Sequence, residues 1–287
     1  MFADHIRDLR KQAGLSQEQM AERLGVSRQA VTRWETGLGT PDLDNVVAIA
    51  DLFGVTVDSL LRDSPEKAAM SEVPQIPSSI TQCDVFAPHD FDISYGNARN
   101  VKLIGTQTSK VRVVLESADI EDLQEAFKVH IDPDDNSFDI EVVSMGGVTA
   151  AKARASLDVR IEVPANWENR IELEGSADSV EVSTLAASRV EVGGKFARLT
   201  LSDVIGHVEA DTNQDLFVCC MTLPARLDVN QLSSTSRLQI PRGEAIALRK
   251  RGIANHLVLD GVEETANAEH LVELNGMRSE LTITTEG

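Results

Sequence analysis

From Asp4 to Arg62 the apolar residues recur three and four positions apart in short blocks, the spacing that gathers them on one face of a helix. The blocks predict a compact all-α bundle of five helices. The first carries Ile6 and Leu9 and stops near Gly14, a residue suited to the left-handed position after a helix. Ser16 followed by Gln19 matches a capping box and opens a second helix that buries Met20, Ala21 and Leu24 before Gly25 ends it. Ser27 caps a third helix, residues 27–36, with Val31 and Trp34 facing inward. The connection between these two is so short that they must cross steeply, and small Ala21 sits where they approach. Pro41 and Asp42 open a fourth helix whose core residues are Val46, Val47, Ile49, Ala50 and Phe53, Gly54 closes it, and a short fifth carries Leu60 and Leu61.

The periodicity then stops. Residues 63–80, with Pro65, Pro74 and Pro77, read as an extended linker between a domain at 1–62 and a second at 81–287. Beyond it apolar and polar residues alternate, the period of strands, in segments such as Lys110 to Leu115, Phe138 to Val143 and Ser156 to Val163. Ile120, Leu123 and Phe127 share one face of a short helix predicted over Ile120 to Phe127.

After Val180 a regular unit repeats, two apolar residues flanking one polar: Val180 and Val182, Val190 and Val192, Leu199 and Leu201, Val208 and Ala210, and so on to Leu281 and Ile283. Such segments are short for a β-sandwich, and hairpin dipeptides are sparse apart from Asp260-Gly261 and Asn275-Gly276. A parallel β-solenoid, whose stacked turns bury a continuous aliphatic core, fits better, with the sandwich as the alternative. The fold class is therefore multidomain, a helical bundle followed by a mainly-β domain.

Charge changes the picture of what each part can touch. The formal net charge is −19, and residues 1–62 hold seven basic and nine acidic residues, so most of the acidity belongs to the C-terminal part. Any nucleic-acid binding must come from a small face, because affinity for phosphates follows local excess of Lys and Arg. Cys83, Cys219 and Cys220 make no disulfide framework, which fits a reducing cytoplasm. No basic segment followed by an apolar run opens the chain, and no stretch of about 18 apolar residues occurs, so neither secretion nor membrane spanning is expected.

The run Leu15-Ser16-Gln17-Glu18-Gln19-Met20-Ala21-Glu22-Arg23-Leu24-Gly25-Val26-Ser27-Arg28-Gln29-Ala30-Val31-Thr32-Arg33-Trp34-Glu35-Thr36-Gly37 closely resembles the helix-turn-helix transcription regulators of the lambda and Cro repressor, or xenobiotic-response-element, family. The resemblance extends to Leu61 and covers about a fifth of the chain. It implies that the third helix enters the major groove, with Arg28, Gln29, Thr32 and Arg33 facing bases. The chemistry suits that task, since Arg pairs bidentately with guanine and Gln with adenine. It also implies phosphate contacts at Gln17, Ser27 and Thr40, and a structural ion pair between Arg10 and Glu35. Trp34, one turn from Val31, packs rather than stacks on bases.

The β-domain, through Leu157-Asp158-Val159-Arg160-Ile161-Glu162-Val163-Pro164 and the short strands after it, is similar to a repetitive domain of adhesin-type proteins. Three roles suit it: oligomerisation that sets two DNA readers about one helical turn apart on a palindromic operator, a sensing or protein-binding module, and a carbohydrate-active β-helix. The densest acidic run, Asp132, Asp134 and Asp135, lies beside Pro133 and Asn136 and reads as a turn. His89, His130, His207, His256 and His270 are scattered without ligand spacing, and the bundle has no Cys and only His5, so no metal, cofactor or catalytic set is expected. The whole reads as a DNA-binding homodimeric repressor, with an antitoxin that represses its own operon as the alternative.

Overall fold

A computed structural model describes residues 2–12, 15–53, 76–134, 136–165 and 169–285. The chain divides into two compact units, Met1–Gln75 and Ile76–Gly287.

In the first unit α1 spans Phe2–Gln12, α2 Gln17–Leu24, α3 Arg28–Glu35 and α4 Leu43–Phe53. The capping box forms as its chemistry requires: Ser16 Oγ accepts from Gln19 N at 3.1 Å, while Gln19 Oε1 accepts from Ser16 N at 2.8 Å. Gly25 ends α2 in the left-handed conformation, φ +67°, and its N–H reaches the carbonyls of Ala21 and Glu22. Ser27 Oγ then takes Ala30 N at 3.2 Å, so α3 starts at once. Asp42 caps α4 by accepting from Asn45 N at 2.9 Å. Ile6, Met20, Ala21, Val31, Trp34, Val46, Ile49 and Ala50 form the core, with Leu9, Leu24 and Phe53 against its edge. Val47 departs from the expected core set: it lies on the outer side of α4, 43% exposed, because Val46, Ile49 and Ala50 already fill the inward stripe. Gly14, Gly54, the fifth helix with Leu60 and Leu61, and residues 63–75 of the expected linker lie outside the described residues.

The second unit is mainly β. Its strands are β1 (Ser78–Asp84), β2 (Asp90–Asn97), β3 (Asn100–Thr106), β4 (Lys110–Glu116), β5 (Phe127–Pro133), β6 (Ser137–Ser144), β7 (Asp158–Pro164), β8 (Arg170–Ser176), β9 (Ser179–Lys195), β10 (Arg198–Asp211), β11 (Phe217–Cys220), β12 (Arg226–Leu232), β13 (Thr235–Ile240), β14 (Ala245–Lys250), β15 (His256–Asp260), β16 (Glu263–Glu264), β17 (His270–Met277) and β18 (Glu280–Thr285). Residues 78–80, expected in the linker, belong to β1, where buried Ser79 pairs with Leu115.

Two in-register parallel ladders build the body of the unit. One stacks Phe138, Phe91, Ile171, Val190, Val208, Leu227, Val272 and Leu248. The other stacks Val159, Val101, Val180, Leu199, Val218, Leu238, Ile283 and Leu259. All are buried except Leu248 and Leu259 in the terminal strands β14 and β15. The repeat of two apolar residues around one polar is thus the inward face of each ladder. Antiparallel pairing among the described strands is confined to β1–β4, β4–β7 and β5–β6.

Four details differ from the pattern's forecast. The paired segments at Val180 and Val190 lie on one 17-residue strand, β9, and those at Leu199 and Val208 on β10. Rungs do not follow chain order: β17 and β18 insert between β12–β13 and β14–β15. Ser156 ends a helix, α6 (Ala150–Ser156), instead of starting a strand, because its hydroxyl donates to Lys152 O at 2.9 Å within that helix. The helix over 120–127 shortens to one turn, α5 (Leu123–Ala126), since Phe127 already pairs with Ser144; Ile120, Leu123 and Phe127 are all buried as expected.

Asn275-Gly276 makes no hairpin. Gly276 turns the corner between the ladders at φ +124°, and a Cβ there would sit 1.8 Å from Gln231 O of the neighbouring rung.

Candidate nucleic-acid interface

The short α2–α3 connection presents one side of α3 outward. Arg28, Gln29 and Arg33 are exposed on it, while Val31 and Trp34 are buried on the other side. Among the described residues no carboxylate pairs with Arg28 or Arg33, so their guanidinium donors are available to a ligand. Thr32 is held more closely: its hydroxyl lies 3.0 Å from Arg28 O and 3.2 Å from Gln17 Oε1. Ser27 and Thr40 are exposed. Ser27 spends its hydroxyl as the α3 cap.

Glu35, at the end of α3, is the polar centre that fixes this face. It is 3% exposed. Arg10 Nε donates to its Oε1 at 2.6 Å and Arg10 Nη2 to its Oε2 at 3.1 Å, a bidentate pair that ties α1 to α3. A third guanidinium donor reaches Leu15 O at 2.7 Å. Gln17 Nε2 adds a bond to Oε2 at 2.8 Å, so α2 meets the same carboxylate. Burial acts to raise the Glu35 pKa, but the hydrogen bonds from Arg10 and Gln17, with the positive charge of Arg10 and Arg7, hold it below the ordinary value.

Gln17 is where the sequence and the structure part in detail. The resemblance assigns it to phosphate, whereas its amide is used inside the protein, linking Glu35 to Thr32. A long-range partner of this kind leaves no local signal in sequence. What remains at the start of α2 is backbone: the first-turn N–H groups have no intrahelical carbonyl to bond and carry the positive end of the helix dipole.

The β unit carries opposite electrostatics. On the outer side of one ladder Asp139, Asp92, Glu172, Glu191, Glu209, Asp228 and Glu273 stack in register, and Arg249 ends the column. Strand spacing puts such neighbours about 4.8 Å apart, so the column needs counter-charge. Arginines supply it along much of its length: Arg189 pairs with Glu191 and Glu209, Arg226 with Asp228 at 2.7 Å, and Arg226, Arg249 and Arg251 converge on buried Glu273 at 3.3, 3.3 and 2.9 Å. Toward β6 the compensation thins. Burial and the charge of Glu172, opposed by Arg170, raise the Asp92 pKa, with Asp139 and Asp90 adding to the rise.

His207, Glu209 and Asp228 bring ligand-type atoms within 4.8 Å of one another, a grouping that sequence spacing did not signal because it crosses two rungs. Arg189 and Arg226 already hold the two carboxylates. The acidic run is not all turn: Asp132 lies in β5, paired with Asp139, and Asp134 follows in the connection to β6, its N–H donating to Ser137 O at 2.8 Å, while Asp135 lies outside the described residues. Cys83, Cys219 and Cys220 are free thiols, and burial pushes that of Cys220 up to about 12. No described helix is long and apolar enough to cross a membrane.

Comparison with known proteins places the first unit. The helix-turn-helix family profile matches residues 6–60. The transcriptional activator BcrR of Enterococcus faecalis is 43% identical over 60 residues, 21% of this chain and 29% of BcrR, so the chain spans less than a third of that relative's length. The SPbeta prophage-derived uncharacterized HTH-type transcriptional regulator YonR of Bacillus subtilis is 30% identical over 80 residues, 28% of this chain and 74% of YonR. Among solved structures, a candidate cell adhesion protein from Clostridium sporogenes aligns with 74% of this chain and 100% of its own, at 7% identity and a TM-score of 0.36.

Proposed function

Because the chain belongs to the helix-turn-helix family, we propose that it is a sequence-specific DNA-binding transcription regulator whose helix α3 reads the major groove. The observation that carries this is the exposed row of Arg28, Gln29 and Arg33 on a helix locked from behind by Glu35. Arg28 and Arg33 suit guanine, Gln29 suits adenine, and Thr32, on the same helix, offers a methyl group for contact with a thymine methyl. Phosphates are met by backbone N–H groups at the starts of α2 and α3, beside Gln17 and Ser27, and by the Thr40 hydroxyl.

We read the stacked ladders as a parallel β-solenoid, since the antiparallel pairing that a sandwich needs is confined to one end. Its acidic column keeps it away from the duplex and leaves α3 as the nucleic-acid face. Its role is to join two copies, so that two α3 helices address the halves of a palindromic operator. That role is binding rather than catalysis, in the cytoplasm. Repression is the direction that follows, because occluding a promoter needs no surface beyond the DNA-reading face. The activator BcrR marks the contrary case, in which a polymerase contact would be required.

Selection of genomic fragments bound by the full chain tests this reading. Enrichment of one palindromic motif by the wild type, lost when Arg28→Ala and Gln29→Ala are combined, supports it. Enrichment of no motif at either low or physiological salt counts against it.

A further inference from the structure

Strand β15 reads His256-Leu257-Val258-Leu259-Asp260 and lies at the end of its ladder, paired with β18 along one edge. Among the described residues no strand pairs with its other edge. The neighbouring ladder is closed differently: β16 lies along the start of β14 through Ala245 and Ile246. Leu257 and Leu259 face inward yet are only half-buried, whereas Leu281 and Ile283, their partners one rung in, are fully buried. The core is thus incompletely covered at β15. On the outer side Val258 is exposed, and on the same rung so is Ile253, which stacks on exposed Met277.

Proteins usually protect such an edge with Lys, Pro or a bulge, and β15 has none of these. What it has is self-complementarity. Set antiparallel against itself about Val258, it places His256 opposite Asp260 of the other copy, Leu257 opposite Leu259, and Val258 opposite Val258. The two leucine pairs continue the core across the junction, and the two imidazole–carboxylate pairs flank an apolar contact on the outside. A two-fold axis also closes the assembly at two copies instead of propagating a fibre.

Two other free edges among the described strands, those of β1 and β5, fit less well. In β1 the same operation about Thr81 sets Ile80 against Gln82 and Asp84 against Ser78. In β5 it sets His130 against itself, and the strand ends at Pro133, which has no N–H to give.

We propose that β15 is the dimerisation strand of this protein and that its partner is β15 of a second copy, antiparallel about Val258. The inference rests on the homodimer reading above for its biological use, but not on DNA binding.

Sedimentation of the full-length chain without DNA tests it, using wild type, Val258→Asp, Val258→Lys and an equimolar mixture of the two variants, with melting temperature as a check on folding. The side chain points outward, so both variants keep the monomer fold. The expected result is a dimeric wild type, a dimer dissociation constant raised at least about tenfold in each variant by like charges set opposite one another, and recovery of the dimer in the mixture. A variant that dimerises as tightly as wild type overturns the β15 assignment while leaving the homodimer reading intact. A monomeric wild type overturns both.

Discussion

The Arg10 guanidinium meets the Glu35 carboxylate in a bidentate pair, 2.6 and 3.1 Å, between the first and third helices of the DNA-reading unit. Both side chains are largely removed from solvent, at 12% and 2% exposure. Breaking one partner of a buried pair strands the other. Arg10→Ala should therefore destabilise the first unit by about 3–5 kcal/mol, and DNA binding should fail through unfolding. Thermal unfolding of the variant followed at Trp34 checks this, and a melt like that of wild type contradicts it.

The same pair sets a pH dependence. With its pKa depressed in the folded state, Glu35 binds a proton less tightly there than in the unfolded chain. Its contribution is fully present above the unfolded value, about 4.3, and is lost as pH falls through the folded one. In Arg10→Ala the carboxylate keeps the burial that acts to raise its pKa and loses the guanidinium that opposed it, so the stability gap between wild type and variant should be widest at neutral pH and narrow as the pH falls into the carboxylate range. Melting temperatures across this range give the profile.

Asp92 carries the opposite sign. Its raised pKa means that desolvation, together with the charges of Glu172, Asp139 and Asp90, disfavours the ionised form in the folded state, a cost present above the folded pKa and relieved as pH falls through it. Asp92→Asn should raise the melting temperature at neutral pH, and the gain should vanish in acid. A neutral-pH melt at or below that of wild type would sink this view of the column.

Gly276 gives a backbone test. Both Gly276 and Gly243 have positive φ, +124° and +88°, but a Cβ at Gly243 would meet nothing within 4 Å whereas one at Gly276 would sit 1.8 Å from Gln231 O. Gly243→Ala should cost about 1 kcal/mol from strain, and Gly276→Ala clearly more, since a neighbouring rung must move as well. Denaturant unfolding of the two variants ranks them.

Much of this molecule was legible in its sequence, and the rest was hidden for identifiable reasons. Helix ends were readable because Ser16, Gln19, Gly25 and Ser27 act on neighbours within four residues. The inward face of each strand was readable because burial obliges alternation, as at Val180 and Val182. Rung order was not readable: Val229 and Leu274, 45 positions apart, are register partners, yet every rung spells the same two-apolar pattern. Gln17 illustrates the same limit at the DNA-reading face, where its amide turned inward to Glu35.

The central claim is that α3 reads bases through Arg28 and Gln29. Its most direct test is the affinity of the full-length chain for its selected site and for a scrambled duplex, in wild type and in the double variant Arg28→Ala, Gln29→Ala, at one fixed salt concentration. Each lost bidentate contact removes roughly 1–3 kcal/mol of discrimination, so the variant should bind the selected site at least about tenfold more weakly while its affinity for the scrambled duplex changes far less. Equal loss on both duplexes, or no loss on the selected site, would contradict base reading by these residues.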